Sequence, residues 1–534
     1  MVDTLRRMSA LGGRLSLRRG LWVAAVLVGG GAGVWAQSAP AKNAPAKGDT
    51  TPPVLQSGQT MVTVDTLLTK QQETQLLADM SSTFQWVSKD TGLGIKRPIK
   101  GRFETRDDVS KMLRKKFDED KDAKRMQRDE LVLKKFGLID RDFHMRQFLL
   151  SLLTEQIAGF YDNKTQEMTL LNWVPMDQQE PVMAHELTHA LQDQRVGLTK
   201  WGDQEPEGVA KDVAEDNRHI QVDETDTARE AVLEGQAMVS FADYMLKPTG
   251  KTLKDMPQVG DQLRNGAGDM SDSPVLARAP LLLQQALLFP YTAGLDFEQY
   301  VLVKKGTDRA FAGVLDNPPS SSFEIMHPDR YLANTPVPVM RMPDIHPMLT
   351  EAGYEPYDIG VMGELDVRIT AELFGGRPLA EALAPNWDGG IYYAAQRKSA
   401  TEAEKETTAS LALLYSSQWK NEDSAQSFFT VFEEELPRQY DGLVRREKDE
   451  VDGSERVYTT REGDVLLTLE NNRVWVSEGF DVALARKLRD TIDSVQGSGR
   501  MQSAGVRVQG PGSRELVGGL SGWLGSFGMV LPGR

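Results

Sequence analysis

The stretch from Pro181 to Asp193 reads P-V-M-A-H-E-L-T-H-A-L-Q-D, and the interpretation of the whole chain starts from it. Its apolar residues recur at helical spacing: Val182, Met183, Leu187, Ala190 and Leu191. Proline suits the first position of a helix, so we expect a helix that begins at Pro181. His185 and His189 stand four residues apart, and both rings therefore project from one face of that helix.

This spacing of histidines predicts a metal site. Two imidazoles held one turn apart can bind one Zn²⁺ at about 2.0–2.1 Å. Glu186 lies about 100° round the helix, where its carboxylate can take a proton from a zinc-bound water. The arrangement is the H-E-x-x-H motif of zinc peptidases. With only six histidines in 534 residues, a chance match is rare. The alternative is an amphipathic helix whose two histidines are merely packed or solvated.

A catalytic zinc needs a third protein ligand and one open position. The next strong helical pattern after His189 runs over residues 226–246, and it carries Glu230 and Glu234 on one face. We favour Glu234 as the ligand, because Gly235 and Ala237 beside it leave room for the motif helix to approach closely. The alternatives are Glu230 as the ligand, or no acidic ligand.

Residues that orient a metal ligand are expected around these three. If Glu234 binds the metal, Glu230 is suited to orient a histidine ring. Asp193 and Asp226 are further candidates for the same role, although Asp193 can equally be a solvated charge near the helix end.

The residues of both helices carry a resemblance to a known class. H-E-L-T-H-A-L-Q-D-Q at 185–194, with E-G-Q-A at 234–237, resembles the gluzincin zinc metallopeptidases. It is most similar to a group of exported bacterial proteins, mostly predicted peptidases, that share this signature. A-G-F-Y-D-N before the motif and P-P-S-S-S-F-E-I-M-H-P-D-R-Y-L at 318–332 also resemble stretches of that group. The resemblance covers roughly residues 90–350.

The resemblance implies a role for each motif residue. His185, His189 and Glu234 would bind zinc, and Glu186 would be the general base. The chain departs from other gluzincins because no N-E-x-x-S-D pattern surrounds the third glutamate. Position 238, where an aspartate would support a ligand histidine, is Met238.

Two further features are expected to serve substrate. Zinc peptidases usually add a neutral donor for the oxyanion, and His327 and Tyr331 are our candidates, with Tyr291 third. His327 can equally be a loop residue that fixes the backbone before Pro328. Residues 157–173 predict a hairpin before the motif helix, and its exposed edge could hold an extended peptide. Either 160–161 or 169–171 would line that edge, unless the hairpin is only packed in a sheet.

The front of the chain predicts export. Five arginines precede an apolar stretch from Leu21 to Trp35, and the small residue Ala36 follows it; this order is typical of a signal peptide cleaved after Ala36. The stretch is short and glycine-rich for a membrane span, although an uncleaved anchor is the alternative. We therefore expect a periplasmic or secreted protein with no stable membrane span after cleavage. The absence of cysteine means that stability must come without disulfides.

Charge limits the class of partner. The formal net charge is −15, and residues 1–36 carry five arginines against one aspartate, so the remainder carries −19. Such an acidic chain is poorly suited to nucleic acid or anionic lipid. A peptide or protein substrate is compatible with it. The sequence contains nothing that fixes an oligomeric state.

Composition, pattern and the resemblance together predict five segments: a signal peptide at 1–36, a disordered linker at 37–59, a domain at 60–349 that the resemblance identifies as a zincin-like metallopeptidase domain, an α+β companion domain at 350–497, and a Gly-rich tail at 498–534. We expect an α+β fold in which the active-site helix packs on a small sheet and the second half of the domain is helical. The companion domain has no metal-ligand spacing and no nucleophile motif.

The sequence as a whole favours an exported, zinc-dependent peptidase with Glu186 as the general base. Two alternatives stay open. One is a zinc hydrolase of a non-peptide substrate. The other is a non-catalytic envelope protein that retains the metal site.

Overall fold

A computed structural model describes residues 23–24, 67–117, 120–202, 210–267 and 273–496. The predicted signal peptide, apart from Val23–Ala24, lies outside the described residues. The predicted linker at 37–59 and the predicted Gly-rich tail at 498–534 lie outside them as well.

The described chain mixes helices with two sheets, which confirms the α+β class. Its α-helices span Lys70–Thr91, Arg106–Phe117, Asp120–Lys135, Met145–Gln156, Met176–Val196, Leu198–Gly202, Val213–Val222, Thr225–Leu246, Gln258–Ala267, Leu281–Lys305, Val314–Asp316, Ser322–Met326, Pro328–Leu332, His346–Glu351, Glu364–Gly375, Arg377–Leu383, Glu402–Lys405, Glu422–Gln439 and Val482–Asp493. Three of them position the candidate site. We name Met176–Val196 the motif helix, Thr225–Leu246 the ligand helix and Leu281–Lys305 the long helix.

The smaller sheet precedes the motif helix. Its strands are β1 (Val23–Ala24), β2 (Lys100–Glu104), β3 (Gly159–Asp162) and β4 (Glu167–Leu171), in the order β1-β3-β4-β2. β3 and β4 form an antiparallel hairpin, as the sequence predicts, and β2 pairs parallel to β4 at one edge. On the other side of β3, only the two residues of β1 pair with it. The sheet contacts the motif helix through β3 and β4.

The larger sheet lies in the C-terminal part of the chain. Its strands are β5 (Tyr354–Val361), β6 (Trp387–Arg397), β7 (Leu411–Trp419), β8 (Val444–Arg445), β9 (Glu455–Thr460), β10 (Gly463–Glu470) and β11 (Arg473–Glu478). They are all antiparallel, in the order β5-β6-β7-β11-β10-β9-β8. The helix Glu422–Gln439 packs on one face through Phe428 and Phe432, and Val482–Asp493 packs on the other through Leu488. The sheet is therefore covered on both faces.

One hydrophobic core joins the two parts of the chain. It runs from the motif helix through the long helix to one face of the larger sheet. Phe136 contacts the rings of Tyr392 and Tyr415 edge-on. Next to it, the buried Lys135 pairs with Glu462 at 3.1 Å. The helix Asp120–Lys135 is thus fixed to the larger sheet by both apolar contacts and an ion pair.

The region after the ligand helix contains the helix Gln258–Ala267 and then the long helix. The long helix continues through Pro290 and Gly294 without a break. The missing side chain of Gly294 serves a close helix contact described below. No helix among the described residues is both long and apolar enough to cross a membrane.

Candidate metal centre

The motif helix begins earlier than its proline suggests. It spans Met176–Val196, so Pro181 lies inside the helix and not at its first position. Proline is tolerated here because it stands just after the first turn, where a single missing N–H removes one hydrogen bond only. The turn before it, Met176–Glu180, packs below β4, and Gln179 donates from Nε2 to the carbonyls of Leu171 and Val174. The earlier start of the helix does not change which residues share a face, and His185 and His189 lie on one face as predicted.

Three side chains converge as the sequence predicts. His185 and His189 from the motif helix and Glu234 from the ligand helix each offer one ligand atom, and these atoms lie within 4.8 Å of one another. Glu234 Oε2 is 3.1 Å from His185 Nε2 and 3.6 Å from His189 Nε2. Ligands of a tetrahedral zinc at about 2.0–2.1 Å stand about 3.3 Å apart, so the spacing suits such an ion. All three side chains are buried, and they could hold a metal ion.

Several polar atoms of this centre are buried without a hydrogen-bond partner. They are His189 Nε2 and both carboxylate oxygens of Glu186. Buried polar atoms are almost always paired, so unpaired atoms gathered at one place indicate that a ligand is to be bound there. The set of two imidazoles and one carboxylate is the set that catalytic zinc accepts in known sites. The residues present therefore fit a zinc ion.

The electrostatics of the centre depend on burial. Burial lowers the pKa of His185 to about 4, which keeps its ring neutral at pH 7 and able to bind a cation. Burial also acts to raise the pKa of Glu234, but the two histidines outweigh it and lower that pKa to about 2. Burial and then the charge of Glu234 raise the pKa of Glu186 well above its usual range. A cation held by the three ligand atoms would counteract the effects of burial and of the Glu234 charge on Glu186, and it would thereby favour the ionised form of the Glu186 carboxylate.

Glu234 lies beside the two histidines as predicted, but the reason given for it in the sequence analysis, that Gly235 lets the motif helix approach, is wrong. The helix that approaches Gly235 is the long helix and not the motif helix, since a Cβ on Gly235 would lie 2.2 Å from the carbonyl oxygen of Gly294. A Cβ on Gly294 would in turn lie 2.2 Å from the carbonyl oxygen of Ala231. The two glycines therefore let the ligand helix and the long helix approach closely. This approach brings the buried hydroxyl of Tyr291 to the carboxylate of Glu234.

Glu230 does not orient a histidine ring. Burial, followed by the charges of Glu234 and Asp226, raises its pKa well above the usual range, and no contact joins it to either imidazole. The group of residues that could hold a metal ion does not include Glu230, in agreement with our preference for Glu234. Asp226 stands one turn before Glu230 on the ligand helix, and its charge acts on Glu230.

The polar residues after His189 each have a defined contact. Gln192 accepts at Oε1 from His189 Nδ1 at 2.8 Å. Asp193 accepts from the hydroxyl of Tyr161 on β3 and from the guanidinium of Arg97, both at 2.9 Å. It also accepts from the backbone N–H of Leu198 just beyond the helix end. Asp193 is therefore neither a solvated charge nor a partner of a histidine ring; it ties β3 to the motif helix.

β3 lies against the motif helix at Glu186. A Cβ on Gly159 would lie 3.6 Å from Glu186 Cγ, and the backbone of Tyr161 acts to lower the pKa of Glu186, against the larger effects of burial and of Glu234. Of the two predicted edges, 169–171 is wrong, because β4 is paired on both sides, by β3 and by β2. The other side of β3 is paired only at Tyr161 and Asp162, by Ala24 and Val23 of the predicted signal peptide, and Phe160 has no strand partner on that side among the described residues.

The Asp193→Ala variant is expected to be less stable by about 3 kcal/mol. It leaves the hydroxyl of Tyr161 and the guanidinium of Arg97 without an ionised acceptor, and each hydrogen bond to a charged group contributes about 1.5–3 kcal/mol. Urea unfolding of the purified protein measures the loss. Zinc content should stay at the wild-type value, because no metal ligand changes.

A matched control for this variant is Asp316→Ala. Asp316 also pairs with an arginine of the motif helix, Arg195, but both side chains are well exposed, so its loss should cost less than about 1 kcal/mol. Equal losses in the two variants would contradict the role given to Asp193.

The structure does not bring His327 or Tyr331 to the three ligands. His327 Nε2 pairs with the buried Glu364 at 2.7 Å, so its ring closes the contact with the helix Glu364–Gly375. The Tyr331 hydroxyl donates to the carbonyl of Asn317 and accepts from Arg309, and its ring packs on Phe297. Both side chains are used in packing, and we withdraw them as oxyanion donors.

The third candidate, Tyr291, is the tyrosine beside the centre. Its hydroxyl bonds Glu234, and burial followed by the charges of Glu234, Glu230 and Glu186 raises its pKa well above the usual range. The hydroxyl therefore keeps its proton and can donate it to an acceptor. The unbroken course of the long helix through Pro290 is what positions it.

No protein-family model, curated protein or solved structure matches this chain in the three comparisons made. What the centre can do is therefore argued from its own geometry.

Proposed function

We propose that this chain is a zinc-dependent metallopeptidase that resembles the gluzincins, with a zincin-like fold, and that it is periplasmic or secreted. The observation that carries the proposal is the convergence of His185, His189 and Glu234 within 4.8 Å, with the unpaired carboxylate of Glu186 beside them. The signal-like N-terminus supports the location.

The chain's own residues supply the proton transfers. When bound, zinc supplies a Lewis acid that acidifies a water and polarises the substrate carbonyl. Glu186 takes the proton of that water as general base and later gives it to the leaving amine, so one carboxylate serves both transfers. Its burial excludes bulk water, which strengthens each electrostatic contact that it makes.

An extended substrate is proposed to pair with β3. The strand lies against the helix turn that carries Glu186, and main-chain hydrogen bonds to a strand edge hold a peptide with little side-chain preference. Tyr291 is the proposed donor for the oxyanion, because it keeps its proton beside Glu234.

The experiment that tests the proposal combines metal analysis with a quenched peptide library. We expect one zinc per chain and cleavage of library members that o-phenanthroline abolishes and added zinc restores. Bound zinc without peptide cleavage would favour a hydrolase of another substrate or a non-catalytic metal protein. Cleavage that survives removal of zinc would overturn the proposal.

A further inference from the structure

The two histidines of the centre differ in how their outer nitrogens are held. His185 Nδ1 is buried and has no hydrogen-bond partner, and its Nε2 faces Glu234. His189 Nδ1 is bonded to Gln192 Oε1, and its Nε2 has no hydrogen bond. Only His189 therefore has a hydrogen-bond partner on Nδ1, the nitrogen that points away from the three-ligand group. That partner is an amide, where a carboxylate or backbone carbonyl is usual.

Gln192 belongs to a chain of two buried amides. Its Nε2 donates to the carbonyl oxygen of Leu233 and to Oε1 of Gln236, both at 3.0 Å. Gln236 Nε2 donates in turn to the carbonyl oxygens of Ala310 and Phe311, at 2.9 and 3.1 Å. Each amide nitrogen has two hydrogens, and each is used. Gln192 and Gln236 are fully buried, so water cannot replace these contacts.

The three carbonyls at the ends of this chain fix its direction. A carbonyl only accepts, so Gln236 must turn its nitrogen toward Ala310 and Phe311, and its oxygen toward Gln192. Gln192 must then present its nitrogen to Gln236 and Leu233, which leaves its oxygen facing His189. An oxygen at 2.8 Å requires a proton on His189 Nδ1. The neutral ring consequently has its lone pair on Nε2, the nitrogen that faces Glu234.

The far end of the chain is an unusual turn. Ala310 and Phe311 lie in a π-helical turn at Arg309–Gly313. Such turns are rare and occur mostly at functional sites. Here the turn presents two neighbouring carbonyls to one amide group.

We infer that Gln192 is a positioning residue for the metal: together with Gln236 it holds His189 in the Nδ1–H tautomer and fixes the spacing of the motif and ligand helices. Gln192 bonds His189 on one helix and the carbonyl immediately before Glu234 on the other. His189 would therefore already be in the tautomer that binding a zinc ion requires, whereas His185 would have to give up the contact of its Nε2 with Glu234. The inference rests on the metal-binding part of the proposed function and not on peptide hydrolysis.

The test is zinc affinity, measured by competition between the full chain and a chromogenic chelator. The Gln192→Met variant keeps the size of the side chain but cannot accept from His189 or donate to Leu233. We expect its zinc affinity to fall 10–100-fold, the usual effect of removing a partner of a metal-bound histidine. Gln236→Met should have a smaller effect, because Leu233 still orients Gln192. Unchanged affinity in Gln192→Met would overturn the inference.

The matched control is Gln179→Met. Gln179 is a buried amide of the same helix that also donates to two carbonyls, Leu171 and Val174, but it contacts no histidine. Its loss should destabilise the fold about as much and leave zinc affinity unchanged. A fall as large as that of Gln192→Met would show a general loss of folding and overturn the inference.

A second measurement does not need a folded variant. Nitrogen-15 spectra of the zinc-free wild type, labelled at histidine, distinguish the two neutral tautomers of each ring. We expect His189 to carry its proton on Nδ1 before any zinc is added. A ring protonated on Nε2 would overturn the inference even if the affinity data agreed, and neither result depends on whether the protein cleaves peptides.

Discussion

The Glu186→Gln variant is expected to keep its zinc and lose peptide hydrolysis by a factor of about 10²–10⁴. The amide has nearly the shape of the carboxylate, so the three ligand atoms keep their positions, but it cannot accept a proton from water. The size of the loss is what a positioned general base usually contributes. The measurement is kcat/KM on the best library peptide, together with zinc per chain on the same sample.

Glu180→Gln is the control for this loss. Glu180 lies on the motif helix too, and its carboxylate accepts from the hydroxyl of Tyr244, which an amide oxygen can also do. Turnover within about twofold of wild type is expected there. If Glu186→Gln retained most of its activity with zinc bound, Glu186 would not be the base.

The Glu234→Ala variant is expected to lose zinc affinity by at least about a thousand-fold. The variant keeps only two imidazoles, whereas a catalytic zinc takes three protein ligands. The loss of a ligand should reduce zinc affinity by more than the 10–100-fold that follows from loss of a residue supporting a ligand. Chelator competition measures it. Activity should fall with occupancy and return in part at high zinc.

Glu230→Gln separates this result from a general effect of removing a buried acid. Glu230 lies one turn before Glu234 on the same helix and is also fully buried, but it lies outside the three-ligand group. Zinc affinity should change by less than about tenfold, since no ligand is removed. The reverse order, with Glu230→Gln the weaker binder, would move the third ligand to Glu230.

Local spacing in the sequence was enough to predict the three residues that converge and could hold a metal ion. The four-residue repeat of His185 and His189 depends only on helix geometry, which is why their shared face survived an error in where the helix begins. Glu234 followed from the next helix, although the glycine beside it faces the long helix and not the motif helix. A small residue indicates a close approach, but the sequence does not say of which neighbour.

The residues around the three ligands are placed by contacts between parts of the chain that lie far apart in sequence, and a single sequence does not predict such contacts. Tyr291 reaches the centre only because a helix continues through Pro290 and Gly294, two residues that usually end one. Gln192 could have been found, because it lies three residues after His189 on the same face. The hydrogen bonds that connect Gln192 to Gln236 and Gln236 to the π-helical turn could not have been predicted from the sequence. His327 and Tyr331 were plausible by chemistry alone, yet their partners Glu364 and Arg309 place them elsewhere.

The contacts of Lys135 and Phe136 with the larger sheet limit how the chain can be divided. A fragment ending near residue 349 would keep every metal ligand but lose Glu462, Tyr392 and Tyr415. Lys135 would then lose its counter-ion, and the apolar surface that the larger sheet covers would face solvent. Expression of the part before residue 350 alone is therefore expected to yield material prone to self-association, because only the C-terminal segment shields that surface.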